Sequence, residues 1–143
     1  MGKGYIKFWG VRGSHPTADT DKMNFGGDTS CVEIRCNDKM FIFDMGSGLR
    51  NLGDSMLKDE SCPKEVHIFL SHYHWDHIMG YLYFKPLFDS SFSFNIYGTN
   101  KNIRIKDITS KLMQTSMWPV SSDMLKAKIN FIELNNSFLK IKL

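Results

Sequence analysis

Histidine and aspartate are concentrated in residues 71–77, where three of the five histidines and one aspartate fall within six residues. His72 and His74 are two apart, so in an extended segment their side chains project to the same side. If the chain then turns into a helix, Asp76 and His77 point back at the same place. Imidazole and carboxylate donors suit zinc, with iron and manganese as alternatives. A lone histidine would be interpreted as a hydrogen-bonded loop residue, but this clustering predicts a metal site.

The two remaining histidines have plainer interpretations. His67 lies inside the short apolar run 66–70, which predicts a packed side chain. His15 lies in a polar, glycine-bearing loop, which predicts an exposed side chain. Neither is predicted to bind a metal.

The elements that must position residues 71–77 follow from hydrophobic periodicity. Two amphipathic helices are predicted, at 48–58 and 100–117, and a long loop at 13–30 that is typical of functional loops. The segment 138–143 also shows an alternating apolar pattern. This order of strands and helices predicts an α/β layered fold. The predicted strands are 5–9, 31–35, 40–44, 66–70, 92–97 and 129–134.

Composition excludes several classes of protein. The chain has 143 residues, 42% of them hydrophobic and 23% charged, which is typical of one folded domain spanning 1–143. No apolar run approaches the ~20 residues that span a bilayer, and the N-terminus does not resemble a signal peptide. We therefore expect a cytoplasmic protein with no membrane partner. The net charge of +3 comes from scattered residues, which does not indicate nucleic-acid binding. Three cysteines without a CxxC pair predict free thiols.

Four motifs, taken together, resemble a known superfamily. They are Gly-Val-Arg-Gly-Ser-His-Pro-Thr at 10–17, Phe-Gly-Gly-Asp-Thr-Ser-Cys-Val at 25–32, Ile-Phe-Asp-Met-Gly-Ser-Gly-Leu at 42–49, and His-x-His-x-Asp-His at 72–77. In this order they resemble the metallo-β-lactamase-fold hydrolases, and most closely the branch of ribonuclease Z-like enzymes and cyclic-nucleotide phosphodiesterases. The resemblance covers the first 80 to 90 residues and is thin beyond them.

The resemblance implies a role for each residue of the cluster. His72 and His74 would be ligands of a first metal ion, and Asp76 and His77 ligands of a second. Asp76 would also orient the nucleophile, which makes it the expected catalytic residue. Asp44 matches the aspartate that accepts a hydrogen bond from a metal-binding imidazole, an arrangement that fixes the tautomer. For Asp44, a helix N-cap or a turn former is the alternative interpretation.

The resemblance also implies an activity. Two divalent metal ions, zinc or else manganese or iron, would generate a hydroxide near neutral pH and offset the charge of a phosphodiester. We expect a metal-dependent phosphodiesterase acting on cyclic nucleotides. An RNA-processing endonuclease and a thioester or lactam hydrolase are alternatives, because this fold carries many chemistries. The loops 10–17 and 25–30 either hold a phosphate, through backbone N–H groups or Arg12, or serve only as tight turns. No substrate-binding residue is identified.

The chain departs from the superfamily in its second half. The implied fold is an αβ/βα sandwich of two similar halves, and this chain corresponds to about the first, so it is expected to be truncated at its C-terminus. No histidine follows His77, and the later acidic residues do not match the missing ligands. Either a complementing C-terminal half or a homo-oligomer would complete the layers. The alternative is a catalytically silent, metal-binding remnant or an interaction module. The later acidic residues are Asp89, Asp107, Asp123 and Glu133.

Overall fold

The structure, a computed structural model, describes residues 4–99, 103–114, 116 and 118–134. Six strands form one sheet in chain order, antiparallel from β1 to β3 and parallel from β3 to β6. All six predicted strands are confirmed to within two residues at each end. Their bounds are Tyr5–Gly10 (β1), Cys31–Cys36 (β2), Lys39–Phe43 (β3), Glu65–Phe69 (β4), Ser93–Thr99 (β5) and Lys128–Leu134 (β6).

The two helices differ in how well the sequence predicted them. Helix α1 spans Gly48–Lys58, as predicted, whereas α2 spans only Ile105–Leu112. The prediction of a helix over 100–117 was too long because Ile103 and Met113 continue the apolar spacing while packing on the core from outside the helix. Residues 100–102, 115 and 117, and the alternating segment 138–143, lie outside the described residues.

Short 3-10 turns occupy the connections for which no helix was predicted. One, Thr20–Phe25, lies inside the long loop 13–30. Three more, Trp75–His77, Met79–Tyr83 and Lys85–Phe88, follow β4. In the described part of the chain, no helix is long and apolar enough to cross a bilayer.

The hydrophobic core lies between α1, α2 and one face of the sheet. Alternate strand residues point to this face, as the period of two requires, and they are fully buried with the apolar side of α1. This confirms a mixed α/β layer. The strand residues in the core include Met40, Ile42, Val66, Ile68, Phe94 and Ile96, and those of α1 are Leu49, Leu52 and Met56.

A buried carboxylate attaches the edge strand β1 to β2. Glu33 is 1% exposed, and it accepts hydrogen bonds from Tyr5 Oη at 2.8 Å and Trp9 Nε1 at 2.7 Å. Its third partner is Arg35 Nε, at 2.7 Å. Because every donor comes from β1 or β2, this network holds the first strand against the sheet.

Candidate metal centre

The sheet topology brings two segments to the same edge. Strands β3 and β4 are parallel neighbours, so Asp44, which follows β3, lies beside residues 71–77, which follow β4. Backbone hydrogen bonds join the two segments: Met45 N–H donates to the His77 carbonyl at 2.8 Å, and Gly80 N–H donates to the Met45 carbonyl at 2.8 Å. A Cβ on Gly80 would overlap the Gly46 carbonyl, so this close approach requires glycine.

The predicted histidines lie together. The ring centroids of His72 and His74 are 4.5 Å apart, and those of His72 and His77 are 4.1 Å apart. The extended segment therefore projects His72 and His74 to one side, and the 3-10 turn Trp75–His77 brings the third imidazole back to them. His72 and His74 are exposed, whereas His77 is only partly exposed.

Asp44 connects both segments through its carboxylate. Its Oδ2 lies 2.8 Å from His77 Nδ1 and accepts a hydrogen bond from Ser30 Oγ at 3.2 Å. Its Oδ1 accepts from Ser71 N–H and from Ser71 Oγ, each at 2.8 Å. A carboxylate accepts from a protonated ring nitrogen, so this contact favours a proton on His77 Nδ1 and leaves Nε2 as the donor atom for a metal.

Of the two alternative interpretations of Asp44, the structure excludes the helix N-cap and supports the turn former. The residue before α1 is Ser47, so Asp44 is not the helix N-cap. Asp44 has a φ of 64°, a left-handed conformation that aspartate tolerates better than most residues, so it does form the turn after β3. The turn and the hydrogen bond to His77 therefore occur in the same residue.

Asp76 accepts a hydrogen bond from the first loop, residues 10–17. It is 9% exposed, and its Oδ2 accepts a hydrogen bond from Ser14 N–H at 2.8 Å. The same oxygen lies 3.4 Å from His77 Nε2. The Ser14 N–H group, more than any other cause, lowers the pKa of the Asp76 carboxyl below its usual value, and the nearby His77 lowers it further. Asp76 is therefore ionised and aligned beside the imidazoles.

The second loop, residues 25–30, supports the site through hydrogen bonds of Ser30 and Asp28. Ser30 contacts Asp44, and Asp28 accepts hydrogen bonds from Ser47 Oγ at 2.6 Å and Asn51 Nδ2 at 2.7 Å. Arg12, one of the two sequence candidates for holding a phosphate, donates a hydrogen bond to the Lys22 carbonyl at 3.4 Å. Both loops therefore have a structural role at the site.

Sequence reasoning missed three serines at this site. Ser71 had a usable signal, because it lies between the end of a predicted strand and His72. Ser14 and Ser30 had no such signal, since Ser14 is 62 residues from Asp76 and Ser30 is 14 residues from Asp44. Only the tertiary structure places them.

The other two histidines lie outside the cluster, as predicted. The His67 ring lies between Phe41 and Tyr97, with centroid distances of 5.5 and 5.8 Å, and its Nδ1 is 3.0 Å from Tyr97 Oη. His15 is exposed in its loop.

The cluster has the donor types of a metal site. Three imidazoles and a carboxylate meet at one sheet edge, and Asp44 lies behind His77 as a carboxylate lies behind a histidine ligand in metal sites. Within residues 4–99, 103–114, 116 and 118–134, no three His, Cys, Asp or Glu side chains are arranged so that they could hold a metal ion together. The assignment of His72, His74, Asp76 and His77 as ligands therefore stays a prediction.

Two of the later acidic residues contact residues that are close to them in the chain. Asp89 accepts a hydrogen bond from Ser91 N–H at 2.8 Å, and Asp107 pairs with Arg104 at 2.9 Å. These contacts account for both residues without a role at the metal centre.

Comparisons with known proteins identify the fold. No protein-family model and no curated protein matches the chain. Three solved structures are similar: the metallo-β-lactamase fold protein YhfI from Bacillus subtilis (21% identity, TM-score 0.61), the short form of human tRNase Z (20%, 0.57) and a diphosphatase of the PhnP family (15%, 0.61). They match 96%, 94% and 97% of this chain but only 48%, 47% and 54% of their own. The chain thus spans about half the length of these structures, and it has the metallo-β-lactamase fold over that half.

Proposed function

We propose that this chain is part of a metal-dependent hydrolase that cleaves phosphodiesters, with cyclic nucleotides as the first substrate to test. The observation that carries the proposal is the group of three imidazoles beside the buried carboxylates of Asp44 and Asp76. Two of the similar structures are a tRNase and a diphosphatase, which supports chemistry at phosphate groups.

In this proposal, His72 and His74 hold one divalent metal ion, and Asp76 and His77 hold a second. Zinc fits the donor set, with manganese and iron as alternatives. A metal bound there would lower the pKa of a water molecule and offset the negative charge of the phosphodiester.

The chain's own residues orient these groups. Asp44 retains the proton on His77 Nδ1, so His77 presents Nε2 to the site. Ser14 N–H holds Asp76 Oδ2, which leaves Oδ1 available to align the attacking water. Asp76 is therefore the proposed catalytic residue, and Asp44 and Ser14 are positioning residues.

A second candidate function is a catalytically silent remnant that binds metal or serves as an interaction module. The number of ligands favours it, because a catalytic zinc typically needs three protein ligands and the cluster at residues 72–77 offers two per metal ion. The two candidates predict different outcomes for metal content and turnover.

The test combines elemental analysis of the dialysed protein with turnover of cyclic nucleotides in added zinc or manganese. RNA, thioester and lactam substrates are assayed in parallel. The proposed hydrolase binds metal and cleaves a cyclic nucleotide, and His74→Ala abolishes both. His67→Phe is the matched control, since it removes an imidazole outside the cluster and should retain both. Metal without turnover supports the silent remnant, and turnover that persists in His74→Ala refutes the site assignment.

A further inference from the structure

The hydroxyl group of Ser71 lies between the Asp44 carboxylate and the His72 imidazole. Its Oγ is 2.8 Å from Asp44 Oδ1 and 3.0 Å from Asp44 Oδ2. The same Oγ is 3.0 Å from His72 Nδ1. The Ser71 hydroxyl is therefore within hydrogen-bonding distance of the carboxylate and of the ring nitrogen at the same time.

The chemistry of a hydroxyl fixes the direction of these two hydrogen bonds. A serine hydroxyl has one proton to donate and two lone pairs that accept. The Asp44 carboxylate only accepts, and a charged acceptor forms a stronger hydrogen bond than a neutral imidazole nitrogen does. The Ser71 proton is therefore donated to Asp44, and Ser71 Oγ accepts from His72 Nδ1. That contact requires a proton on His72 Nδ1 and leaves His72 Nε2 without one.

We propose that Ser71 is a positioning residue through which Asp44 orients His72. Asp44 orients His77 directly, because its Oδ2 is 2.8 Å from His77 Nδ1. Through the Ser71 hydroxyl, the same carboxylate selects the same tautomer in His72, so that both imidazoles present Nε2 to the site. This role rests on the hydrolase proposed above, in which His72 holds the first metal ion and His77 the second.

The distances separate the direct contact of Asp44 from the contact that Ser71 mediates. Ser71 Oγ is 3.5 Å from His77 Nδ1, whereas Asp44 Oδ2 is 2.8 Å from the same nitrogen. His77 therefore donates to the carboxylate, and the Ser71 hydroxyl accepts from His72. Each of the two imidazoles has its own acceptor, and the two acceptors are joined by the hydrogen bond between Ser71 and Asp44.

Backbone hydrogen bonds hold the Ser71 hydroxyl in this position. Ser71 N–H donates to Asp44 Oδ1 at 2.8 Å, and Leu70 N–H donates to the Tyr97 carbonyl at 2.9 Å. A Ser71→Ala variant should therefore keep the path of the chain and lose only the contacts of the hydroxyl. Because Ser71 is exposed, a threonine fits at this position and restores the hydroxyl.

The first experiment records the nitrogen NMR shifts of His72 and His77 in the metal-free chain at about pH 8, where an unperturbed imidazole is uncharged. In the wild type we expect the ring proton of His72 on Nδ1. An imidazole in water favours the proton on Nε2, so Ser71→Ala should shift the His72 proton to Nε2 and leave His77 unchanged. Ser71→Thr should restore the wild-type shifts. The measurement needs neither metal nor substrate, so its result does not depend on the proposed hydrolase.

Ser61→Ala is the matched control for the loss of a serine hydroxyl. Ser61 makes the same pair of hydrogen bonds to one carboxylate oxygen, Asp59 Oδ1, through its N–H at 3.0 Å and its Oγ at 2.6 Å. Because Ser61 contacts Asp59 and not the histidine cluster, Ser61→Ala should leave the shifts of His72 and His77 at their wild-type values.

Asp44→Asn should give the opposite pattern to Ser71→Ala. The amide oxygen can still accept from Ser71, whereas the amide nitrogen cannot accept from His77 Nδ1. The proton of His77 should therefore shift, and that of His72 should stay on Nδ1. Opposite effects of two variants on two imidazoles exclude a general loss of structure as their cause.

The second experiment measures zinc affinity by titration calorimetry, with circular dichroism to verify that each variant is folded. Ser71→Ala should bind zinc about 10–100-fold more weakly than the wild type, as for other residues that orient a ligand, and Ser71→Thr should bind it equally well. A wild-type chain that binds no zinc would refute the proposed hydrolase, and the NMR shifts would still decide the contact between Ser71 and His72.

Three outcomes would overturn the proposal. The first is a wild-type His72 that carries its proton on Nε2. The second is a Ser71→Ala variant in which His72 keeps the wild-type shifts. The third is a Ser71→Ala variant that binds zinc as tightly as the wild type does.

Discussion

Replacing Asp44 with asparagine removes one negative charge from the centre of the candidate site and preserves the shape of the side chain. Asparagine tolerates the left-handed φ of 64° at this position, so the turn after β3 should remain. The amide oxygen can still accept from Ser71, but the amide nitrogen cannot accept from His77 Nδ1. Asp44→Asn therefore isolates the hydrogen bond to the imidazole.

The expected loss follows from the contacts of Asp44. A hydrogen bond to a charged group contributes about 1.5–3 kcal/mol, so Asp44→Asn should lower the free energy of unfolding by about 2 kcal/mol. For a chain of this length that corresponds to a fall in Tm of roughly 8 °C. If the cluster binds metal, affinity should also fall by about 10–100-fold, as for other residues that orient a ligand.

The assay is thermal unfolding of the metal-free variants, combined with nitrogen NMR shifts that report which ring nitrogen of His77 carries the proton. Asp44→Asn should shift the proton from Nδ1 towards Nε2. Asp44→Ala should lose a further 1–2 kcal/mol or so, because alanine disfavours the left-handed conformation. Asp38→Asn, at an exposed turn, is the control and should unfold like the wild type. A wild-type Tm and an unchanged His77 tautomer in Asp44→Asn would refute the reasoning.

Three further predictions concern the fold around the site. Glu33→Gln should lower the free energy of unfolding by about 3 kcal/mol in urea titration, because it breaks a buried ion pair; an unchanged midpoint would contradict this. Burial lowers the pKa of His67 below its usual 6.5, so its contribution to stability is present above that pH and is lost as the pH falls through the lowered pKa. Between about pH 7.5 and pH 5, the urea midpoint of His67→Phe should therefore fall less than that of the wild type. Gly80→Ala should destabilise the chain by roughly 1–3 kcal/mol, since its Cβ overlaps the Gly46 carbonyl, and calorimetry would detect this.

Local periodicity was sufficient for most of the fold. The alternation of residues such as those in β4 predicted strands within two residues of their ends, and α1 has the predicted bounds. It failed for α2, where Ile103 and Met113 share the helical spacing without belonging to the helix. A periodic pattern reports which side chains face the core, and residues on either side of a helix can face it too.

The candidate site, like the fold, could be predicted from the sequence only in part. His72, His74, Asp76 and His77 are neighbours in the sequence, so their grouping could be inferred from it. Asp44 could be identified only by resemblance, and its contact with His77 depends on the parallel pairing of β3 with β4.

The six strands, α1 and the fold class could be predicted from the sequence alone, because each depends on residues close together in the chain. The contacts of Ser14 and Ser30 with the two carboxylates, and the apolar row that crosses the sheet from Phe8 to Ile132, could be seen only in the folded structure. Those features join residues from separate strands and loops. They depend on strand register and on the path of each loop, which local periodicity does not encode.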